Sequence, residues 1–189
     1  LAIALGGCSS NNKSSNSNTL TKTELQKKAF KEKYDEIKLG DISKKGGGGA
    51  SITETTELLG KPKSTKTTLV NGLKIKTIGW TKTSAALVVQ FYNKKAITKT
   101  ITNFKWEKTA GKLTLKSYNK VKENSSYTSL VKKHGQPDTL NENIVMGKKN
   151  KIAFYQTKTK SKSENNSNRV TFVFSDNKLV SKTKAELSK

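Results

Sequence analysis

Apolar and polar residues alternate along LVVQFY at positions 87–92. Leu87, Val89 and Phe91 face one way and Val88, Gln90 and Tyr92 the other. A polar turn at 93–95 and a second strand reaching Thr100 complete a β-hairpin. The pattern recurs at 170–183, VTFVFSDNKLVSKT. There Val170, Phe172 and Phe174 stand for Leu87, Val89 and Phe91, and Lys178, Lys182 and Thr183 for Lys95, Lys99 and Thr100. The match continues backwards. Trp80 falls opposite Tyr155, Gly60-Lys61-Pro62 opposite Gly135-Gln136-Pro137, and Tyr34-x-x-Ile37 opposite Tyr118-x-x-Val121. Two copies of one α/β unit are expected.

Each copy has the same order of elements. Residues 21–39 read as a helix, with Thr21-x-x-Glu24 as a capping box. Phe30, Lys33, Tyr34 and Ile37 share one face, and Gly40-Asp41 ends the helix. The four glycines at 46–49 cannot hold a regular element cheaply, so a mobile loop is expected. They lack the Gly-Lys-Ser/Thr ending of a phosphate loop. Residues 51–59 form a short helix capped by Ser51 and Glu54 and stopped by Gly60 and Pro62. Its counterpart spans 126–134, with Tyr127, Leu130, Val131 and His134 on one face and Gly135 and Pro137 at its end. Asn71-Gly72 predicts a tight hairpin. Its counterpart at 147–150 predicts a looser turn, and a bulge at Gly79 could shift Trp80 to the other face. Residues 106–112 read as a linker and 158–168 as a long polar loop.

Charge changes the picture. The chain carries 37 basic and 14 acidic residues, a net charge of +23. Its mean hydropathy of -0.70 implies a modest core, shared between the repeats. Such a balance attracts polyanions. Only Arg169 is arginine, whereas base-reading surfaces favour arginine's rigid fork, so no specific nucleic-acid partner is expected. One cysteine and one histidine exclude an internal disulfide and a zinc site of the usual type. No metal or other cofactor is expected.

The N-terminal residues carry an address. Residues 1–7 read as the end of a signal peptide, and Leu5-Gly6-Gly7-Cys8 resembles a bacterial lipobox, with Cys8 receiving the lipid. The polar stretch 9–18 suits a flexible tether. The expected organisation is signal remnant at 1–7, lipidated Cys8 and tether to 20, first repeat at 21–108 and second at 109–189. The expected location is the extracellular face of the cell membrane of a Gram-positive bacterium, with a lipid on Cys8 as the membrane contact.

The pattern Tyr34-x-x-Ile37-x-x-Gly40-Asp41, a glycine-bearing loop, Glu57-Leu58-Leu59-Gly60-x-Pro62 and a Trp-bearing meander resembles the β-lactamase-inhibitor-protein-like (BLIP-like) domains of Gram-positive lipoproteins. It is more distantly similar to small outer-membrane assembly lipoproteins. The resemblance implies an α+β fold. Two tandem helix-loop-helix plus four-stranded antiparallel meander units would form one curved sheet with helices on one face. In the namesake the open face binds protein. The namesake also carries internal disulfides, which a chain with one cysteine cannot form.

Strand parity within the first copy puts Lys74, Lys76, Ile78 and Trp80 together, and assigns them with Val88 and Tyr92 to the face opposite Leu87. Tyr155 and Val173 join them from the second copy. Aromatics among lysines on an open sheet suit an envelope protein or an anionic wall polymer. The expected function is therefore a non-catalytic, membrane-anchored protein-binding module. Alternatives are electrostatic association with wall polymers and inhibition of a β-lactamase or cell-wall enzyme. Catalysis is not expected. The paired carboxylates Asp35 and Glu36, or Asp138 and Glu142, lie in polar contexts rather than an enclosed acid-base site.

Overall fold

A computed structural model of the chain describes residues 19–106, 113–158 and 167–186. Cys8, the tether, the signal remnant, most of the 106–112 linker and most of the 158–168 loop lie outside the described residues. Eight antiparallel strands run in sequence order across one sheet. They are β1 (Ser64–Val70), β2 (Leu73–Lys82), β3 (Ala85–Tyr92), β4 (Lys95–Thr102), β5 (Thr139–Val145), β6 (Lys148–Lys158), β7 (Ser167–Ser175) and β8 (Lys178–Glu186). Each copy supplies four, and β4 pairs with β5 to join them. Before β1 come helices α1 (Lys22–Glu36) and α2 (Ile52–Leu59); before β5 come α3 (Leu115–Asn119) and α4 (Tyr127–His134). The fold is α+β, with one core cluster uniting helix residues and a single sheet face.

The predicted caps form. Thr21 and Glu24, and Ser51 and Glu54, each complete a reciprocal capping box. Gly60 and Gly135 end α2 and α4 with φ of 85° and 76°, which an L side chain rarely adopts. Lys33, expected on the buried face of α1, is exposed, and its ammonium donates to Leu58 O at 2.8 Å. The looser turn expected at 147–150 is instead a tight one at Met146-Gly147, with φ of 50° and 77°, matching Asn71-Gly72 at 49° and 77°. No bulge falls at Gly79. The two bulges occur at the same place in each copy, beside Gln90/Phe91 and Val173/Phe174.

Repeated polar contacts hold helices to sheet. The Lys99 ammonium donates to Tyr34 O at 2.8 Å and Ile37 O at 3.0 Å, the carbonyls ending α1. Lys182 does the same to Tyr118 O at 3.0 Å and Val121 O at 2.7 Å after α3. Each ammonium also sits over the tyrosine ring it caps, at 4.5 and 4.8 Å from the centroid. Trp80 Nε1 donates to Gly60 O at 2.8 Å, and Tyr155 Oη to Gly135 O at 2.9 Å. The paired motifs of the two copies are thus the donors and acceptors of the same contacts.

The glycine loop is ordered by hydrogen bonds, not left mobile as its composition suggests. Gly46 N donates to Asp41 O, Gly47 N to Lys44 O and Gly49 N to Gly46 O. Gly46 has φ of 81°, and a Cβ at Gly49 would collide with the Ala96 carbonyl. The loop presents Asp41 to the second copy. Its carboxylate accepts from Ser43 N and Oγ at 2.8 and 2.6 Å, and from Met146 N and Gly147 N at 3.2 and 2.6 Å. The Ser43 hydroxyl, with the Gly147, Ser43 and Met146 amides, holds this carboxyl below its ordinary range. Asp41 therefore clasps the β5–β6 turn of the second copy.

His134 closes α4 in the place of Leu59. It is 7% exposed, and its Nε2 has no hydrogen-bond partner among the described residues. Burial, aided by Lys133, holds the imidazole below its ordinary value of 6.5. Folding therefore favours the neutral ring. That stability is present above the unfolded pKa and is lost as pH falls through the folded one. His134→Leu is expected to flatten the fall in urea midpoint between about pH 7 and about pH 5. An equal fall in variant and parent would exclude His134 as its source.

Candidate binding surface

Directly opposed residues of an antiparallel pair point to the same side of the sheet. In β2 and β3 Trp80 opposes Leu87, Ile78 opposes Val89 and Lys76 opposes Phe91. Trp80, Ile78, Lys76 and Lys74 therefore lie on the helix-covered side, not the open one. Trp80 is 2% exposed, and Tyr155, opposed to Val170, is also 2% exposed. Both belong to the core. Of the residues expected on the open side, Val88, Tyr92 and Val173 are there and partly exposed. The difference from the expected face is one of phase between strands. The two-residue turn at Thr83-Ser84 pairs Lys82 with Ala85 and so sets Trp80 opposite Leu87. Counting through that turn would have found it.

The same register assembles the open face. One row crosses the sheet as Gly79, Val88, Thr100, Asn141, Ile152, Val173 and Ser181. The next runs Thr81, Ala86, Thr102, Thr139, Phe154, Thr171 and Thr183. On the other side lie Thr77, Gln90, Thr98, Asn143, Asn150 and Ser175. The third row ends in charge, at Lys66 beyond Thr77 and at Lys178 beyond Ser175, but the positions named in the three rows are uncharged, although 27% of the chain is charged. Most are partly exposed, as expected for a sheet side without a helix layer.

Short polar contacts knit the rows. Asn141 Nδ2 donates to Thr100 Oγ1 at 2.7 Å across the β4–β5 seam, and Asn150 Nδ2 to Asn143 Oδ1 at 3.1 Å. The Arg169 guanidinium stacks on Phe154 at 4.2 Å from the ring centroid, at the margin of the surface. Threonine and valine suit a pleated surface. The result is a broad neutral strip carrying Val88, Ile152, Phe154 and Val173 among hydroxyls and amides. Phe154, Ile152 and the threonine rows were not singled out from sequence, because the β4–β5 pairing that places them crosses the two repeats. Among the described residues no cluster of metal-binding side chains occurs.

A family described as a domain of unknown function with solved-structure structure, DUF3862, matches residues 26–187. Among solved structures the chain is similar to a crystal structure from Streptococcus mutans described as a "putative beta-lactamase inhibitor protein". The two are 24% identical, with a TM-score of 0.62 over 85% of this chain and 97% of that one. The likeness bears out the BLIP-like fold. No curated protein matches.

Burial gives Trp80 and Tyr155 a structural role with measurable consequences. Trp80→Phe and Tyr155→Phe each delete one hydrogen bond to a helix-ending carbonyl and are expected to cost about 1 kcal/mol. Trp80→Ala is expected to cost about 3–5 kcal/mol. Guanidinium unfolding measures both; a neutral Trp80→Ala would place that ring outside the core.

Proposed function

The chain belongs to the DUF3862 family, and on that premise we propose that it is a non-catalytic module that binds an envelope protein through the open face of its sheet. The observation that carries the proposal is the neutral strip in a chain of net charge +23. Interface centres are depleted of charge and enriched in aromatic contacts, whereas solubilising surfaces are charged. The strip spans up to seven strands, about 29 Å between the outermost, and three rows, about 14 Å between the outermost, at standard strand spacings. That projects to roughly 400 Å², about half of the ~800 Å² one partner contributes to a standard interface. The description of the Streptococcus mutans protein as an inhibitor is in keeping with such a role.

The lipobox-like Leu5-Gly6-Gly7-Cys8 and the polar residues after it support a lipid anchor on Cys8 and display of the open face outside the cell membrane. The lysines elsewhere favour a secondary attraction to anionic wall polymers, which salt would screen.

Immobilised protein exposed to envelope extract separates the two contributions. A discrete protein is expected to remain bound at about 0.5 M salt, where the screening length is only a few ångströms. Thr100→Glu buries an unpaired charge at the centre of the strip and is expected to weaken that retention about a hundredfold. Ser84→Glu, in an exposed turn, is expected to leave it unchanged. Complete elution at low salt, or equal retention by Thr100→Glu, would contradict the proposal. Cys8→Ser is expected to move the protein from the membrane to the soluble fraction; continued membrane association would remove the anchor.

A further inference from the structure

The two edges of the sheet are built differently. At β8, Asn124 N donates to Leu179 O at 3.0 Å and Leu179 N to Ser125 O at 2.9 Å, so the segment before α4 covers the start of the strand. Lys178, Lys182 and Lys184 follow along it. Lysines and covering loops are the usual defences of an edge against pairing with another strand. β1 is without both. Among the described residues nothing pairs with its outer edge. Its seven residues run in continuous register with β2, with no bulge and no proline, and only Lys66 is charged.

β1 is apolar where it is most open. Leu69 is 77% and Val70 50% exposed, as the last two residues before the Asn71-Gly72 turn. Thr65, Thr67 and Leu69 lie on the helix side, opposed to Ile78, Lys76 and Lys74, and the other four residues on the open side. Six of the seven are exposed and Thr68 is half-buried, so neither layer stands over the strand. Such an edge is a template for a further strand.

The order of residues says which strand fits. Two-fold antiparallel pairing opposes residues of the same face, so its axis falls on a residue. With the axis at Thr67 all seven positions pair, Ser64 with Val70, Thr65 with Leu69, Lys66 with Thr68 and Thr67 with itself. An axis at Lys66 would oppose two lysines, which is unfavourable, and one at Thr68 would leave Ser64 and Thr65 unpaired.

We propose that β1 is a homodimerisation edge, pairing with β1 of a second copy about a two-fold axis at Thr67, perpendicular to the sheet. Leu69 of one copy then lies against Thr65 of the other, one strand from the buried Ile78, and Val70 lies against Ser64. The outer N–H and C=O groups of the two strands close about six to eight backbone hydrogen bonds. The seam is about 24 Å long and smaller than a standard interface, so the dimer is weak. The axis keeps both open faces on one side. That the two faces act together rests on the proposed function; the pairing itself does not.

Sedimentation equilibrium of the full chain tests this, with a reductant present to exclude disulfides through Cys8. A dimer with Kd on the order of 100 µM is expected. Raising salt from about 0.15 to about 0.5 M is expected to tighten it, by screening the repulsion between chains of charge +23. Thr67→Lys sets two lysines against each other on the axis and is expected to weaken the dimer at least about fivefold. An equimolar mixture of Thr67→Lys and Thr67→Glu opposes a lysine to a carboxylate and is expected to recover the parent affinity, which requires Thr67 to lie opposite itself. Thr67 is on the helix side, so these variants leave the open strip intact. Val180→Lys, at an exposed position of β8, is expected to change Kd by less than about twofold. A chain monomeric at about 300 µM would leave β1 to an extended segment of another protein and overturn the proposal. Equal weakening by Val180→Lys, a mixture that does not recover, or a dimer that loosens with salt would each overturn it as well.

Discussion

A buried ammonium group joins the two layers of this molecule. Lys99 lies in the middle of the sheet, 5% exposed, with its Nζ bonded to the carbonyls that end α1 and set beside the Glu142 carboxylate of the other repeat. Burial pushes its pKa down, partly offset by the Glu142 charge. Such a group is stabilising only while its partners remain in place, and an uncompensated charge at this depth costs several kcal/mol. One side chain therefore ties the end of α1, the strand β4 and the seam with β5 to a single arrangement. Lys182 repeats the cap in the second copy. It lies on the edge strand β8, with no further strand to bring it a carboxylate, and is correspondingly more exposed.

The other polar contacts follow the same plan. Trp80 and Tyr155 secure the ends of α2 and α4, and Asp41 clasps the β5–β6 turn across the repeats. These contacts lie on the helix side or at its rim. The open side is left without a role in holding the helices, and the middle of the sheet there is uncharged, with Lys66, Lys95, Arg169 and Lys178 at its margins. In the proposed role, the basic surroundings would supply long-range attraction and the uncharged strip the short-range contact.

Much of this was legible in the sequence because local rules agreed with the fold. The capping boxes, the helix-ending glycines, the Asn71-Gly72 turn and the repeated alternation at 87–91 and 170–174 all appear where the residues place them. What could not be read depends on phase or on contacts across the repeats. The side that Trp80 faces is not legible from within-strand alternation, which does not set one strand's phase against the next; the Thr83-Ser84 turn does. Lys99 looks in sequence like any other surface lysine, and only its recurrence as Lys182 marks it as structural. The glycine loop reads as loose from composition, yet close approach to Ala96 and the bonds around Asp41 require those glycines. The neutral strip exists only once β4 is placed beside β5.

Equilibrium unfolding of Lys99→Met, compared with Lys182→Met, tests the central dependence most directly. Methionine keeps the length of the side chain and removes the charge. Lys99→Met strands two helix-ending carbonyls and leaves the buried Glu142 with Lys151 alone, so it is expected to lose about 3–5 kcal/mol. Lys182→Met, partly solvated and without a carboxylate, is expected to lose about 1 kcal/mol. Equal small losses, or a Lys99→Met variant as stable as its parent, would show that apolar packing alone holds the helices to the sheet.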